Sequence, residues 1–83
     1  IILLFIQLLY TMMKIKKIKI KVNGKNKTFD NQSSLHRLIN DLKIPIKKVA
    51  IEFNREIIDK KKIKEIKLKN NDIVEIVHFI GGG

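Results

Sequence analysis

The sequence IKIKVNGKNKTF, at residues 18–29, decides the fold, because it contains two strands and the turn between them. Its first half alternates lysine with apolar residues, namely Ile18, Ile20 and Val22. This period of two is typical of a strand with one buried and one solvated face. The pair Asn23-Gly24 then predicts a two-residue hairpin turn, since both residues accept positive φ, and residues 27–29 return as the second strand.

The hydrophobic period changes after the hairpin and indicates a helix. Ser33 or Ser34 is the predicted N-cap, because a serine hydroxyl accepts a hydrogen bond from the first turn of a helix. The apolar positions then fall three and four residues apart, at Leu35, Leu38, Ile39 and Leu42. This spacing places them on one helical face, which we expect to cover the sheet. Pro45 is the predicted end of the helix.

The remaining chain alternates again and predicts three more extended segments. The third strand carries apolar residues at Val49, Ile51 and Phe53. A turn at residues 54–55 leads into a short strand at 56–58. A basic connector follows at 59–69 with apolar contacts at Ile63, Ile66 and Leu68. A turn at 70–72 precedes the last strand, 73–79. With the first and last strands paired centrally and the helix packed across one face, the fold class is α+β.

The last strand carries apolar side chains on both of its faces. Val74 and Ile76 are predicted to point inward, because they share one face of the strand. Val77 and Phe79 then point outward and form a small apolar patch where a partner docks. The alternative is that they pack under the connector at 59–69. The predicted partner-docking residues are Val77, Phe79 and Ile80.

The chain has a sharp composition boundary near its start. Residues 1–13 carry no charge, and the 18 basic and 8 acidic residues all follow them. The segment resembles the apolar part of a signal peptide but lacks a basic region before it and a small-residue cleavage site after it. A start codon placed too far upstream of Met12 and Met13 is the simplest explanation, and a membrane anchor is the alternative, although the segment is shorter than the roughly 20 apolar residues of a membrane span. We therefore expect 1–13 to lie outside the fold, a domain at 14–80 and a glycine tail at 81–83.

Charge and composition exclude several classes of function. The formal net charge of +10 permits a nucleic-acid partner. However, the chain has no Trp, and its only arginines are Arg37 and Arg55, so it lacks the stacking residues and guanidinium groups of a specific binder. With no cysteine and only His36 and His78, neither a metal site nor a Ser/His/Asp triad is predicted.

The glycines at 81–83 are the feature that most needs an explanation. They follow directly on an apolar strand, and Gly83 carries the α-carboxylate. Extended residues span about 3.3–3.6 Å each, so residues 80–83 can place that carboxylate on the order of 13 Å beyond the sheet. Because glycine has no side chain and tolerates many backbone conformations, such a tail can enter a narrow channel in another protein. Disorder of the tail is the alternative.

Three segments resemble a known family. They are VNGK at residues 22–25, VAIEFNREII at 49–58 and NDIVEIVHFIGGG at 71–83. Together they resemble the ThiS family of sulfur carriers in thiamine biosynthesis. The resemblance covers nearly all of 18–83 and none of 1–13. It implies a ubiquitin-like β-grasp fold, a mixed sheet with one main helix across one face, which agrees with the order of elements predicted above.

The resemblance also implies a chemistry at the tail. In this family an E1-like, ThiF-like adenylating enzyme uses ATP and magnesium to convert the carboxylate of Gly83 to an acyl-adenylate. Sulfur from a persulfide donor then displaces AMP and gives a thiocarboxylate, which a ThiG-like thiazole synthase uses. Gly81 and Gly82 serve as the tether. The chain itself is then a carrier, not an enzyme, and binds no cofactor.

Other functions remain open at this point. A terminal diglycine also occurs in ubiquitin-like modifiers and in the small subunit of molybdopterin synthase, which is the second candidate. A small basic nucleic-acid-binding module and an adaptor with an inert tail are the others. We expect a monomer without membrane or sequence-specific nucleic-acid partners, in the cytoplasm, or in the plastid stroma if the gene is plastid-encoded.

Overall fold

The computed structural model describes residues 1–14 and 16–79. These residues form two α-helices and one mixed five-stranded sheet. In chain order the elements are α1 (Ile2–Lys14), β1 (Lys17–Val22), β2 (Lys25–Asp30), α2 (Leu35–Asp41), β3 (Val49–Phe53), β4 (Glu56–Ile57) and β5 (Ile73–His78), with short 3₁₀ turns at Ile46–Lys48 and Lys60–Lys62. The strand order is β2-β1-β5-β3-β4. β1 and β5 are parallel neighbours near the middle of the sheet, as predicted, and the other pairs are antiparallel.

The predicted hairpin is confirmed and is longer than expected. Asn23 and Gly24 have φ of 48° and 81°, which is the left-handed backbone that a two-residue turn between twisted strands requires. The strands pair from Lys17 with Asp30 to Val22 with Lys25, so β2 begins two residues earlier than predicted. The hairpin therefore supplies one half of the sheet.

The core lies between one face of the sheet and helix α2. Strand positions contribute Ile18, Ile20, Val22, Val49, Ile51, Val74 and Ile76, and helix α2 contributes Leu35, Leu38 and Ile39. The connector adds Ile63 and Leu68. All of these side chains are buried, which confirms them as inward positions, whereas the predicted positions Leu42, Phe53 and Ile66 are half-buried at the border of the core. Their burial is the main favourable contribution to a domain of this size.

The first turn of α2 is capped by Ser34 and by the connector. The Ser34 hydroxyl accepts a hydrogen bond from the amide of Arg37 at 3.0 Å, which identifies it as the N-cap. The amide of Leu35 donates to the carbonyl of Ile66 at 2.8 Å. The connector, 59–69, therefore satisfies a donor that the helix itself leaves without a partner.

Helix α2 ends earlier than predicted, and Pro45 does not end it. The last helical residue is Asp41, and Lys43 adopts φ of 56°. The amide of Ile44 then donates to the carbonyl of Ile39 at 3.1 Å. This is the hydrogen bond of a Schellman motif, in which a left-handed residue after the helix turns the chain back over its last turn.

Two strand boundaries also differ slightly from the predictions. β4 contains only Glu56 and Ile57, and β5 ends at His78 instead of residue 79. The turn between β3 and β4 has φ of 50° at Asn54 and 72° at Arg55, as in the first hairpin. A strand ends where its neighbouring strand turns away, because no further inter-strand hydrogen bonds can form there.

The uncharged segment at the start of the chain is helical. The large apolar side chains of α1 are exposed, from 47% at Leu9 to 81% at Leu3. No helix in the described ranges has both the length and the apolar character needed to cross a membrane. That 1–13 lie outside the functional domain stays a prediction.

Candidate functional site

Strand β5 leads to the glycine tail, so the residues that hold this strand define the candidate site. Its first half has a neighbour on each side. Ile73 pairs with Lys21 of β1, and Val74 pairs with Val22. On the other side β3 runs antiparallel to the strand from Val74, opposite Phe53, to His78, opposite Val49. The first half of β5 is therefore an interior strand.

The side chain of Asn23 extends this pairing after β1 has ended. Its Oδ1 accepts a hydrogen bond from the amide of Ile76 at 2.7 Å, and its Nδ2 donates to the carbonyl of Ile76 at 3.3 Å. A carboxamide has the same donor and acceptor as a peptide group, so it can occupy one rung of a β-ladder. The turn residue thus also positions the middle of β5.

A second set of polar side chains holds the start of β5. Asn54 accepts from the amide of Ile73 at 2.9 Å through Oδ1 and donates to Oδ1 of Asp72 at 3.1 Å through Nδ2. The other oxygen of Asp72 accepts from the amide of Lys69 at 2.7 Å. Asp72 is 9% exposed, and such a carboxylate is stable in the fold because each oxygen has a hydrogen-bond partner.

The end of β5 is held on one side only. His78 pairs with Val49, and the amide of Phe79 donates to the carbonyl of Lys48 at 2.9 Å. On the other side β1 has already turned away at Asn23, so an edge of the strand is open there. His78 and Phe79, the last described residues before the tail, are therefore bound to Val49 of β3 and to Lys48, the residue before β3.

The outward direction of Val77 and Phe79 is confirmed. Their side chains are 58% and 57% exposed, whereas Val74 and Ile76 are buried. Two of the three predicted docking residues, Val77 and Phe79, are thus exposed. The third, Ile80, lies outside the described residues. The tail residues, Gly81, Gly82 and Gly83, also lie outside them.

The alternative, packing under the connector, is not borne out for Phe79, which is 57% exposed, although one connector residue, Lys60, lies beside its ring. The ammonium group of Lys60, in the connector, lies 5.3 Å from the centroid of the Phe79 ring. The same group donates to the carbonyls of Ile46 and Val49 at 3.0 and 2.9 Å. Lys60 therefore joins the end of β5 to the segment where β3 begins.

The outer face of the sheet contains an apolar residue that the sequence prediction missed. Ile57 on β4 is 81% exposed and lies opposite Glu52, which itself lies opposite Glu75 on β5. Across an antiparallel pair such residues share a face, so Ile57 belongs to the same outer surface as Val77. The predicted short strand contained Ile57, but a strand of two residues is too short for its hydrophobic alternation to show which side chain faces the core.

The outer face is also divided by charge. β1 presents lysines at every second position, whereas Glu52 and Glu75 lie opposite each other on β3 and β5. Within the described part of the chain no salt bridge involves either glutamate. At the β2 edge of the sheet a hydrogen bond from Lys17 lowers the pKa of Asp30. This ion pair joins the two strands of the first hairpin and is separate from the candidate site.

The described residues offer little other chemistry. Among them no group of three or more His, Cys, Asp or Glu side chains is placed to hold a metal ion. His36 lies 3.5 Å from the amide nitrogen of Asn40 on the same helix, and His78 is exposed. In the described ranges no hydrogen bond joins either histidine to a carboxylate or a hydroxyl, as a triad requires.

Comparison with known proteins identifies relatives of this chain. The profile of the ThiS family matches residues 20–83. The sulfur carrier protein ThiS of Bacillus subtilis (strain 168) is 37% identical over 65 residues, which are 77% of this chain and 98% of that protein. A thiazole synthase of Paramagnetospirillum magneticum is 35% identical over 66 residues, or 80% of this chain. The chain spans only about one fifth (20%) of the length of that synthase.

The fold has a close counterpart among solved structures. The crystal structure of the thiamine biosynthesis protein ThiS from Geobacter metallireducens superposes with a TM-score of 0.70 at 30% identity. It covers 80% of this chain and all of that one (100%). The match, together with the mixed sheet and its single covering helix, confirms the β-grasp prediction.

Proposed function

This chain belongs to the ThiS family, and from that premise we propose that it carries sulfur on the α-carboxylate of Gly83. It is a sulfur carrier of thiamine biosynthesis. The family match runs through Gly83 and carries the proposal, because it aligns the whole of β5 and the glycines with the carrier proteins. The family match favours this function over the molybdopterin-synthase subunit, the nucleic-acid module and the inert adaptor.

The reaction needs an activated carboxylate. A carboxylate oxygen of Gly83 attacks the α-phosphorus of ATP, and pyrophosphate leaves with the help of magnesium bound by the adenylating enzyme. The terminal sulfur of a persulfide then attacks the acyl carbon and displaces AMP, which gives an acyl disulfide. A second thiol, of a partner protein or a small-molecule reductant, then attacks the donor's sulfur in this S–S bond, so that a new disulfide forms on the donor and the thiocarboxylate leaves. No cysteine of this chain is required, and it has none.

The described structure suits this chemistry by holding the base of the tail. Asn23 and β3 fix β5 in register up to Phe79. The glycines begin two residues later, at Gly81, and their lack of side chains lets them enter a narrow active site. A rigid domain that presents one carboxylate reduces the entropy lost when the reacting atoms meet.

The partners belong to the same proposal. We propose a ThiF-like, E1-like adenylating enzyme that supplies the ATP and magnesium site, a persulfide donor, and a ThiG-like thiazole synthase as sulfur acceptor. Similarity to one fifth of a thiazole synthase supports the last of these, because parts of one chain in one organism are often separate, interacting chains in another. A cytoplasmic or plastid location stays a prediction.

Docking is proposed at the outer end of β5. Val77 and Phe79 are exposed apolar side chains next to the tail, and Ile80 follows in sequence. A partner that binds this patch brings its active site close to the tail. Removal of apolar surface from water is the dominant favourable contribution to most protein–protein association.

The decisive experiment changes the length and stiffness of the tail. One residue added after Gly83 moves the carboxylate by roughly 3.5 Å. Misplacement of about 1 Å can already cost on the order of 100-fold, so we expect ATP–pyrophosphate exchange with the adenylating enzyme to be abolished. Gly82→Val is expected to slow exchange more than Gly82→Ala, because a β-branched side chain restricts the backbone and widens the tail.

Circular dichroism and intact mass provide the controls. All variants should keep the folded spectrum, since they alter residues outside the core. The unmodified chain should gain the mass of one oxygen-to-sulfur exchange after incubation with ATP and a persulfide donor. Normal exchange by the extended chain would refute the proposal that Gly83 is the reactive residue.

A further inference from the structure

The lysine-rich 3₁₀ turn Lys60–Lys62 contains one lysine that differs from its neighbours. Lys60 is half-buried, whereas Lys61 and Lys62 are exposed. Lysine is among the residues least often buried, because its ammonium group loses hydration unless it finds partners in the protein. The position of Lys60 therefore needs an explanation that solubility does not supply.

The partners of Lys60 are specific. Its Nζ donates to the carbonyl of Ile46 at 3.0 Å and to the carbonyl of Val49 at 2.9 Å. Hydrogen bonds from a charged donor are shorter and stronger than neutral ones. These two bonds fix the ammonium group against the backbone where the 3₁₀ turn Ile46–Lys48 meets β3.

The same ammonium group faces the last described residue before the tail. It lies 5.3 Å from the centroid of the Phe79 ring, within the range of a cation–π interaction. The backbone of Phe79 is bound to this segment too, because its amide donates to the carbonyl of Lys48 at 2.9 Å. Phe79 is therefore held twice, through its main chain by Lys48 and through its ring by Lys60.

We propose that Lys60 is a positioning residue, which fixes Phe79 and with it the direction in which the tail leaves the sheet. The inference rests on the proposed function, since it concerns presentation of the Gly83 carboxylate. It acts where β5 has an open edge on the side of β1, and among the described residues β3, the carbonyl of Lys48 and the Lys60 ammonium group hold the end of the strand. Without Lys60 the ring of Phe79 loses its fixed neighbour, and Phe79, the last described residue before the tail, is free to adopt a wider range of orientations.

The test compares Lys60→Met, Lys60→Arg and Lys61→Met. Methionine keeps an unbranched side chain of similar length and removes the charge and the donors, whereas arginine retains both. Lys61→Met is the matched control, because the same substitution falls on the next residue, which is exposed. The full chain is used in each case.

Two readouts separate positioning from general stability. Hydrogen exchange reports the amide of Phe79, with the amide of Ile76 as the internal reference. We expect Lys60→Met to lower the protection of Phe79 by about tenfold relative to Ile76. In ATP–pyrophosphate exchange with the adenylating enzyme we expect kcat to fall at least about tenfold, with a change in KM below about twofold. Lys60→Arg should restore both, and Lys61→Met should alter neither.

Other outcomes overturn the inference in distinguishable ways. Equal loss of protection at Phe79 and Ile76 would mean that Lys60 supports the whole domain. A higher KM with unchanged protection would place Lys60 in direct contact with the partner. No change in either readout would leave Lys60 without this role. Absence of exchange with the unmodified chain would overturn the proposed function, and the positioning role with it, whatever the amide of Phe79 shows.

Discussion

The two ends of strand β5 are held in different ways. At its start, Ile73 has β1 on one side and the side chain of Asn54 on the other, and the buried carboxylate of Asp72 precedes it. Directly after its end, the amide of Phe79 donates to the carbonyl of Lys48, and the ammonium group of Lys60 lies beside the Phe79 ring. The strand therefore changes within six residues from an interior strand to one with an open edge.

The difference follows from the length of β1. β1 ends at Val22 and turns at Asn23, so within the described part of the chain its ladder with β5 consists of the pairs Lys21 with Ile73 and Val22 with Val74. An edge strand presents free donors and acceptors and is accessible to a partner. A fixed start and an accessible end thus arise from one topology, and a carrier with a reactive terminus requires both.

The largest effect is expected where β5 contacts the core. Ile76→Ala removes a buried side chain, and we expect it to lower the free energy of unfolding by about 2–5 kcal/mol. Urea unfolding followed by circular dichroism measures this change. Ile57→Ala is the matched control, because the same substitution at an 81% exposed position should cost about 1 kcal/mol or less. Equal losses at the two positions would contradict the assignment of inner and outer faces.

A smaller effect is expected at the rung that Asn23 supplies. Asn23→Gly keeps a residue that accepts the φ of 48° but removes the hydrogen bonds to Ile76. We expect a loss of about 1–2 kcal/mol in the free energy of unfolding, because the amide and carbonyl of Ile76 lose their partner. Asn71→Gly, at φ of 73°, is the control.

The control separates the side-chain bond from the turn. No side-chain hydrogen bond of Asn71 occurs in the described part of the chain, so Asn71→Gly should change stability by only a few tenths of a kcal/mol. The same urea titrations compare the two variants. A loss at Asn71 as large as that at Asn23 would show that turn propensity, and not the carboxamide rung, stabilises β5.

Much of the fold follows from local sequence. Alternating apolar residues and Asn23-Gly24 predict the first hairpin, because period and turn type are local properties. The outward direction of Val77 also follows from period two once Val74 and Ile76 are assigned to the core. The end of α2 was predicted wrongly. Pro45 is a strong breaker, but Lys43, which has no particular preference for positive φ, ends the helix first.

The polar contacts of the site could not be predicted from the sequence. The sequence predicts Asn23 and Asn54 as turn residues. Their side-chain hydrogen bonds to Ile76 and Ile73 depend on a strand that is distant in the chain. Lys60 is one of three consecutive lysines, and only the packed structure distinguishes it. Such contacts are set by tertiary geometry, so composition and spacing carry no signal for them.

The smallest effect on stability, and the sharpest test of the open end, is expected at Val77. Val77→Thr conserves the branched shape and replaces one methyl group by a hydroxyl, which water can solvate at a position that is 58% exposed. We therefore expect the free energy of unfolding to stay within about 0.5 kcal/mol, whereas Val74→Thr, the same substitution at a fully buried position, should cost about 1–3 kcal/mol. If partners dock on this patch, the added hydroxyl must be desolvated on binding, and KM in ATP–pyrophosphate exchange should rise about fivefold with kcat unchanged. An unchanged KM would remove Val77 from the docking surface, because a residue in the centre of an apolar contact does not tolerate a new hydroxyl without loss of affinity.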